Sequence, residues 1–198
     1  MSRVLLGRAT RCVEAAVAAL TLLCCAEPAL GRPMAIDSRA CAYADMSVWR
    51  ASPSELRSAV VCLIDHARAH RGLPFVSQQG QLDAAAQGHS DAMVNQDFFG
   101  HGNPASRISA AGFRWGAYGE AISTGFRTPW SAVAGWLAST EHCRLLLSPA
   151  YRFVGVGVNA RGVRGWTGNS GTWTVDLALP YGGGAPSGNW GPANGCPY

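Results

Sequence analysis

The sequence predicts an α+β fold in which helices cover both faces of a small antiparallel sheet. Three observations lead there. Up to Leu137 apolar residues recur at helical spacing in separate runs, most of them opened by a capping signal. From Val154 to Leu179 the period drops to two, as strands require. Finally, 198 residues without an internal repeat or an interdomain linker leave room for one core.

Residues 1–31 read as a cleaved signal peptide. Arg3, Arg8 and Arg11 precede an apolar stretch from Cys12 to Ala26, and Ala29-Leu30-Gly31 offers the small-x-small pattern that signal peptidase reads. The alternative is an uncleaved membrane anchor, but the stretch falls short of the roughly 20 apolar residues a span needs and contains Glu14. A lipoprotein signal fits less well, because Leu23 is bulky just before Cys24. Residues 32–53 show no period and form an irregular arm. The domain proper is expected over 54–180. Residues 181–198, dense in Gly, Pro and Asn, form a C-terminal extension.

Within the domain, Ser52-Pro53-Ser54-Glu55 is a capping box with Pro at the first helical position. Leu56, Ala59, Val60, Leu63, Ile64 and Ala67 follow at helical spacing until Gly72. A second helix is expected from about Gln79 to Gln96, with Leu82, Ala85, Ala86, His89 and Met93 on one stripe. Asn103-Pro104 starts a short third helix, and Thr128-Pro129 a fourth carrying Trp130, Val133, Ala134 and Leu137, with His142 at a helix end. A strand passes through Tyr118–Ile122. Two more are marked by Val154, Val156 and Val158, and by Trp173, Val175, Leu177 and Leu179 alternating with Thr172, Thr174, Asp176 and Ala178. Gly155 and Gly157 leave one face of their strand bare, which suits the close approach of another backbone or a large side chain. Arg161–Gly171 reads as an exposed connection.

Removing the first 31 residues takes away Cys12, Cys24 and Cys25 and leaves Cys41, Cys62, Cys143 and Cys196. Four cysteines in an exported chain suggest two disulfides. Three pairings are open, and Cys41–Cys62 with Cys143–Cys196 is the one that closes local loops; free buried thiols are the alternative. Every basic residue is Arg, and from Arg32 onward thirteen arginines against ten carboxylates leave a net charge of +3. That balance is too mild and scattered for a nucleic-acid partner.

Several segments in register resemble a known family. Cys62-Leu63-Ile64-Asp65-His66-Ala67-Arg68, Gly72-Leu73-Pro74, and Leu82 with Ala85-Ala86 and His89-Ser90-Asp91-Ala92-Met93 look like the first half of bacterial CAP domains (cysteine-rich secretory proteins, antigen 5 and pathogenesis-related proteins). Phe98-Phe99-Gly100-His101, Arg107-Ile108, Gly119-Glu120-Ala121-Ile122, Trp136 with Ser139 and His142, and Phe153–Val158 complete the series in order over about residues 56–180. The resemblance implies a three-layer α-β-α sandwich whose cleft gathers two histidines and an acid. By position these are His101, Glu120 and His142, while Ser139 stands where members with larger clefts carry a second acid.

Two imidazoles and a carboxylate are a common ligand set for Zn²⁺ or another divalent cation, with a position left for water or substrate. Spacing alone does not join them, since His101, Glu120 and His142 lie far apart in sequence; only the resemblance brings them together. His89 is expected either beside this site or as a hydrogen-bonded core residue, and Glu141 either as a further ligand or as an exposed charge. Ala121 replaces the usual Asn, removing an amide near the acid. The resulting expectation is a secreted, monomeric bacterial protein without a membrane span after cleavage, holding a small-molecule, lipid-like or cell-envelope ligand. An extracellular metal-dependent hydrolase and a structural module with a vestigial cleft are the alternatives.

Overall fold

A computed structural model describes residues 36–165, 170–184 and 196–197. The expected signal peptide and much of the C-terminal extension therefore lie outside the described residues.

Local sequence signals set the helix starts. Ser52 Oγ accepts from the Glu55 N–H and Glu55 Oε2 accepts from the Ser52 N–H at 2.7 Å, opening α1 (Pro53–Ala69). Gln79 caps α2 (Gly80–Asn95), Asn103 Oδ1 caps α3 (Pro104–Ala110), and Thr128 forms a capping box for α4 (Pro129–Leu137). A fifth helix, α5 (Thr140–Leu146), follows a break at Ala138–Ser139. His142 thus lies in the first turn of α5, at the start of a separate helix rather than at the end of α4.

Strands β1 (Ser77–Gln78), β2 (Trp115–Phe126), β3 (Phe153–Asn159) and β4 (Gly171–Pro180) form one sheet in the order β1-β3-β4-β2. The three long strands pair antiparallel, as expected, with Gly155 and Glu120 flanking Asp176 in register. The added β1 runs parallel to β3, so the sheet is mixed. At two residues β1 is too short for a periodic signal. Its place is fixed by tertiary bonds instead: the Val76 N–H donates to Asp65 Oδ1 at 2.9 Å and Arg68 Nε to the Pro74 carbonyl at 2.7 Å. Arg68 is wholly buried and also donates to the Leu146 and Ser148 carbonyls, joining α1 to the end of α5; burial lowers its pKa to about 10.

The sheet is covered twice. Val154, Val156, Trp173, Val175, Leu177 and Ala121 pack with Leu56, Val60, Leu63 and Ile64 of α1 and Val133, Trp136 and Leu137 of α4 in the main core. The opposite face lies under α2. There a Cβ on Gly155 would fall under 3.0 Å from the Leu82 and Asp83 backbone, and one on Gly157 equally close to the Ala86 backbone, so the two glycines let the helix backbone rest directly on the strand. Every residue of β4 from Gly171 to Leu179 is consequently buried. Its alternation separates two interiors, not an inside from an outside. The connection after β3 is not wholly exposed either, since Val163 is buried with Met93 and Ile122.

Both disulfides form as the local-loop pairing anticipates, Cys41–Cys62 fastening the arm to α1 and Cys143–Cys196 fastening residue 196 to α5. Among the described residues no helix is long and apolar enough to cross a membrane.

Candidate functional site

Strand β2 carries the acid. Side chains alternate along it, so Glu120 and Ile122 face α2 while Ala121 points into the main core on the other side. An amide at position 121 would be directed into the main core and away from Glu120, so, contrary to expectation, Ala121 takes no partner from the acid.

The Glu120 side chain is 2% exposed and both of its oxygens are engaged. Its Oε1 accepts from His101 Nδ1 at 2.8 Å, and its Oε2 is ion-paired with Arg107, whose other terminal nitrogen donates to the His101 carbonyl at 2.8 Å. Arg107 therefore ties α3, the loop bearing His101 and strand β2 together. His89 stands behind this loop: it is buried, donates from Nε2 to the Gly100 carbonyl at 3.0 Å, and lies 3.9 Å from Glu120 Oε1. Burial lowers its pKa, only partly offset by Glu120, so it is a neutral residue that positions the peptide just before His101.

Asp176 faces Glu120 across the strand pair. It is buried, and no hydrogen-bond donor among the described residues reaches either of its oxygens. Burial first, and the Glu120 carboxylate second, push its pKa up to about 8, so it holds its proton at neutral pH.

The second histidine is carried by α5. His142 Nδ1 shares a hydrogen bond with Ser139 Oγ at 3.0 Å, and its pKa is lowered by burial and by the neighbouring His101. It lines a cleft of about 360 Å³ together with Phe99, Ile122, Ser123, Thr124, Phe126 and Trp136. Gly135 opens room for the Phe126 ring against α4. Glu141, anticipated as a possible neighbour of the histidine, turns outward with its side chain 84% exposed and 3.8 Å from Arg144; a short helix places adjacent residues about 100° apart.

His101, Glu120 and Ser139–His142 thus border one region, yet among the described residues no three His, Cys, Asp or Glu side chains form a group placed to hold a metal ion. The donor chemistry explains it. Both Glu120 oxygens are engaged, one by His101 and the other by the Arg107 guanidinium, so the carboxylate already has a cationic partner. The Glu120 carboxylate only accepts, so His101 carries its proton on Nδ1 and keeps an uncommitted Nε2. Glu120 stands behind His101 and orients it. In the sequence Arg107 stands out only as part of a motif and Asp176 only as part of an alternation. For Asp176, a charge on a strand covered on both faces is the signal that could have found it.

A model described as the cysteine-rich secretory protein family, CAP, matches residues 61–176. The chain is 29% identical over 111 residues to the uncharacterized protein YkwD of Bacillus subtilis, an overlap of 54% of this chain and 43% of that one. The uncharacterized membrane protein YlbC of the same organism is 26% identical over 57% of this chain and 34% of its own length. The chain thus spans less than half of these relatives. Among solved structures, an extracellular SCP-domain protein from Bacillus anthracis superposes with a TM-score of 0.53 at 22% identity, over 64% of this chain and 41% of that one. An outer surface protein from Borrelia burgdorferi gives 0.52 at 17% identity, over 59% and 86%. At these identities the structural likeness is one of fold.

Proposed function

The chain belongs to the CAP, or cysteine-rich secretory protein, family, and from that premise we propose that it is a secreted binding protein whose cleft holds a small, lipid-like or cell-envelope ligand beside a divalent-cation position. The observation that carries this reading is the apolar cleft of about 360 Å³ with His142 in its wall. Few polar groups in an otherwise apolar concavity are the ordinary make-up of a ligand site. Secretion is supported by the two disulfides, which suit an oxidising compartment, and by relatives described as extracellular or outer-surface proteins.

The cation, Zn²⁺ or another divalent ion, would be held by Nε2 of His101 and of His142. Glu120 holds His101 in the required tautomer, Ser139 Oγ meets His142 Nδ1 and orients its ring, and Arg107 keeps Glu120 in place. A bound cation supplies polarisation of a ligand oxygen. The cleft reading is tested by following tryptophan fluorescence, with Trp136 in the wall, during titration with decanoate. A saturable change is expected that is lost in Ser139→Trp, which fills the half-buried rim; an identical response in that variant overturns it.

A second reading, an extracellular hydrolase acting on peptide or envelope substrates, draws on the carboxylate-held imidazole of His101, an arrangement suited to a general base. It requires turnover that disappears in Glu120→Gln. The vestigial-cleft alternative loses its main support, because Ala121 faces away from the acid.

A further inference from the structure

We infer that the cleft takes its ligand as an extended peptide, added edge-on to β2 as a further strand of the sheet. This deepens the binding reading above and rests on it.

The sheet order leaves β2 at an edge. Ile122, Ser123 and Thr124, three consecutive residues, all line the cleft. Successive side chains point to opposite faces of a sheet, so a cavity touched by all three runs along the strand's free edge. Backbone direction agrees. The Tyr118 carbonyl accepts from the Tyr151 hydroxyl at 3.1 Å and the Ile122 carbonyl from the Trp136 indole at 3.2 Å. These carbonyls face away from β4, and the antiparallel pattern repeats every second residue, so Thr124 presents its N–H and C=O to the same side. Among the described residues no loop or turn hydrogen bond reaches the Ile122 N–H or either backbone group of Thr124.

An independent observation points the same way. Ser123 Oγ is buried in this wall, its residue 6% exposed, and has no hydrogen-bond partner among the described residues. Buried hydroxyls in native proteins are nearly always paired, and a partner arriving with the ligand removes the exception. An acyl chain has no donors or acceptors, so packing it here would shut out water and leave both the hydroxyl and the strand edge unmet. A peptide meets both. Its backbone pairs with the edge while its alternate side chains enter the apolar lining, one set towards Phe99 and Ile122, the other towards Phe126 and Trp136. The register of β2 shifts between Thr124 and Phe126, so the regular edge is Ile122–Thr124, which pairs with about three residues of an extended segment while its flanking residues reach the lining beyond. The lining selects uncharged, apolar side chains.

The test uses the disulfide-bonded protein and three probes: acetyl-Val-Thr-Val-Thr-Val-amide, the same peptide N-methylated on its second and fourth residues, and the same peptide N-methylated on its first, third and fifth. Binding is read by tryptophan fluorescence and by backbone amide shifts of Ile122 and Thr124. The parent peptide is expected to bind saturably. One methylation pattern should weaken binding about tenfold or more, because a strand offers its pairing groups alternately to its two edges, and the other should change it less than about threefold. Ser123→Ala should weaken the parent peptide without altering decanoate binding. Equal affinity for both methylated peptides overturns the inference. So does decanoate binding with no peptide binding, which leaves the broader cleft reading standing. Binding of neither probe overturns both.

Discussion

The contact most decisive for this fold is the seating of α2 on β3, and Gly155→Ala tests it. A Cβ at Gly155 would lie under 3.0 Å from backbone atoms of Leu82 and Asp83, which no side-chain rotation relieves. Carbon atoms settle at ~3.5–4.0 Å, so the helix must retreat by roughly 1.5 Å or the strand must bend. Either movement loosens Leu82, Ala85 and Met93, all buried beneath α2, and stretches the bond from the Val156 N–H to Asp83 Oδ1, now 2.8 Å. Overpacking of this kind costs roughly 1–3 kcal/mol where side chains yield. Because backbone is struck here, the upper end, about 3 kcal/mol, is expected. For a domain of this size that is a fall in Tm of about 6–12 °C. The measurement is thermal unfolding of the disulfide-bonded protein by circular dichroism, with Ala substituted at Gly165, whose Cβ position is open but whose φ is +80°, as a control for backbone preference alone. Gly155→Ala unfolding at the wild-type temperature would refute the direct seating of helix on strand.

Three further outcomes follow from the buried charges and the disulfides. Arg107→Met leaves Glu120 buried without its cation and should cost about 3–5 kcal/mol in urea unfolding, much of it regained in Arg107→Met with Glu120→Gln; no recovery in the double variant would show that Arg107 acts by packing. Asp176 has a native pKa raised from 3.8 to about 8, so its contribution to stability is fully present below 3.8 and lost as pH rises through 8. Asp176→Asn should therefore match the wild type near pH 4 and exceed it at pH 8 by on the order of a few kcal/mol, and a constant difference across that range contradicts the assignment. Removing Cys143–Cys196, which closes a separation of 53 residues, should cost about 4 kcal/mol, and removing Cys41–Cys62, which closes 21, about 3 kcal/mol, in the entropic account; calorimetry of the paired Cys→Ser variants decides the order.

The site is built in two layers that meet at β2. On the α2 side, His101, Glu120, Arg107, His89 and Asp176 form a dense polar group with one half-exposed member, His101, at 51%. Beside it, along the free edge of β2, His142 and Ser139 border an apolar cleft. The polar layer fixes His101 while the cleft supplies room for a ligand. Low dielectric around Glu120 and Asp176 strengthens these bonds and also makes each missing partner costly.

Much of this was legible in the residues alone. Ser52, Asn103 and Thr128 announce their helices because capping acts between residues three apart, and the change of period near Val154 marks strands for the same short-range reason. Gly155 and Gly157 announced a close approach, and the cysteines announced their pairing by loop length. Other features depended on register between segments distant in sequence. Only the pairing of β2 with β4 sets Asp176 opposite Glu120, only the packing of α3 brings Arg107 onto that carboxylate, and only the pleat of β2 turns Ala121 away from it. Sheet order, likewise, decides that β2 is an edge and that the cleft follows it. Capping and periodicity are properties of a few neighbouring residues and survive in the sequence; the convergence of side chains is a property of how strands and helices far apart in the chain come to lie against one another.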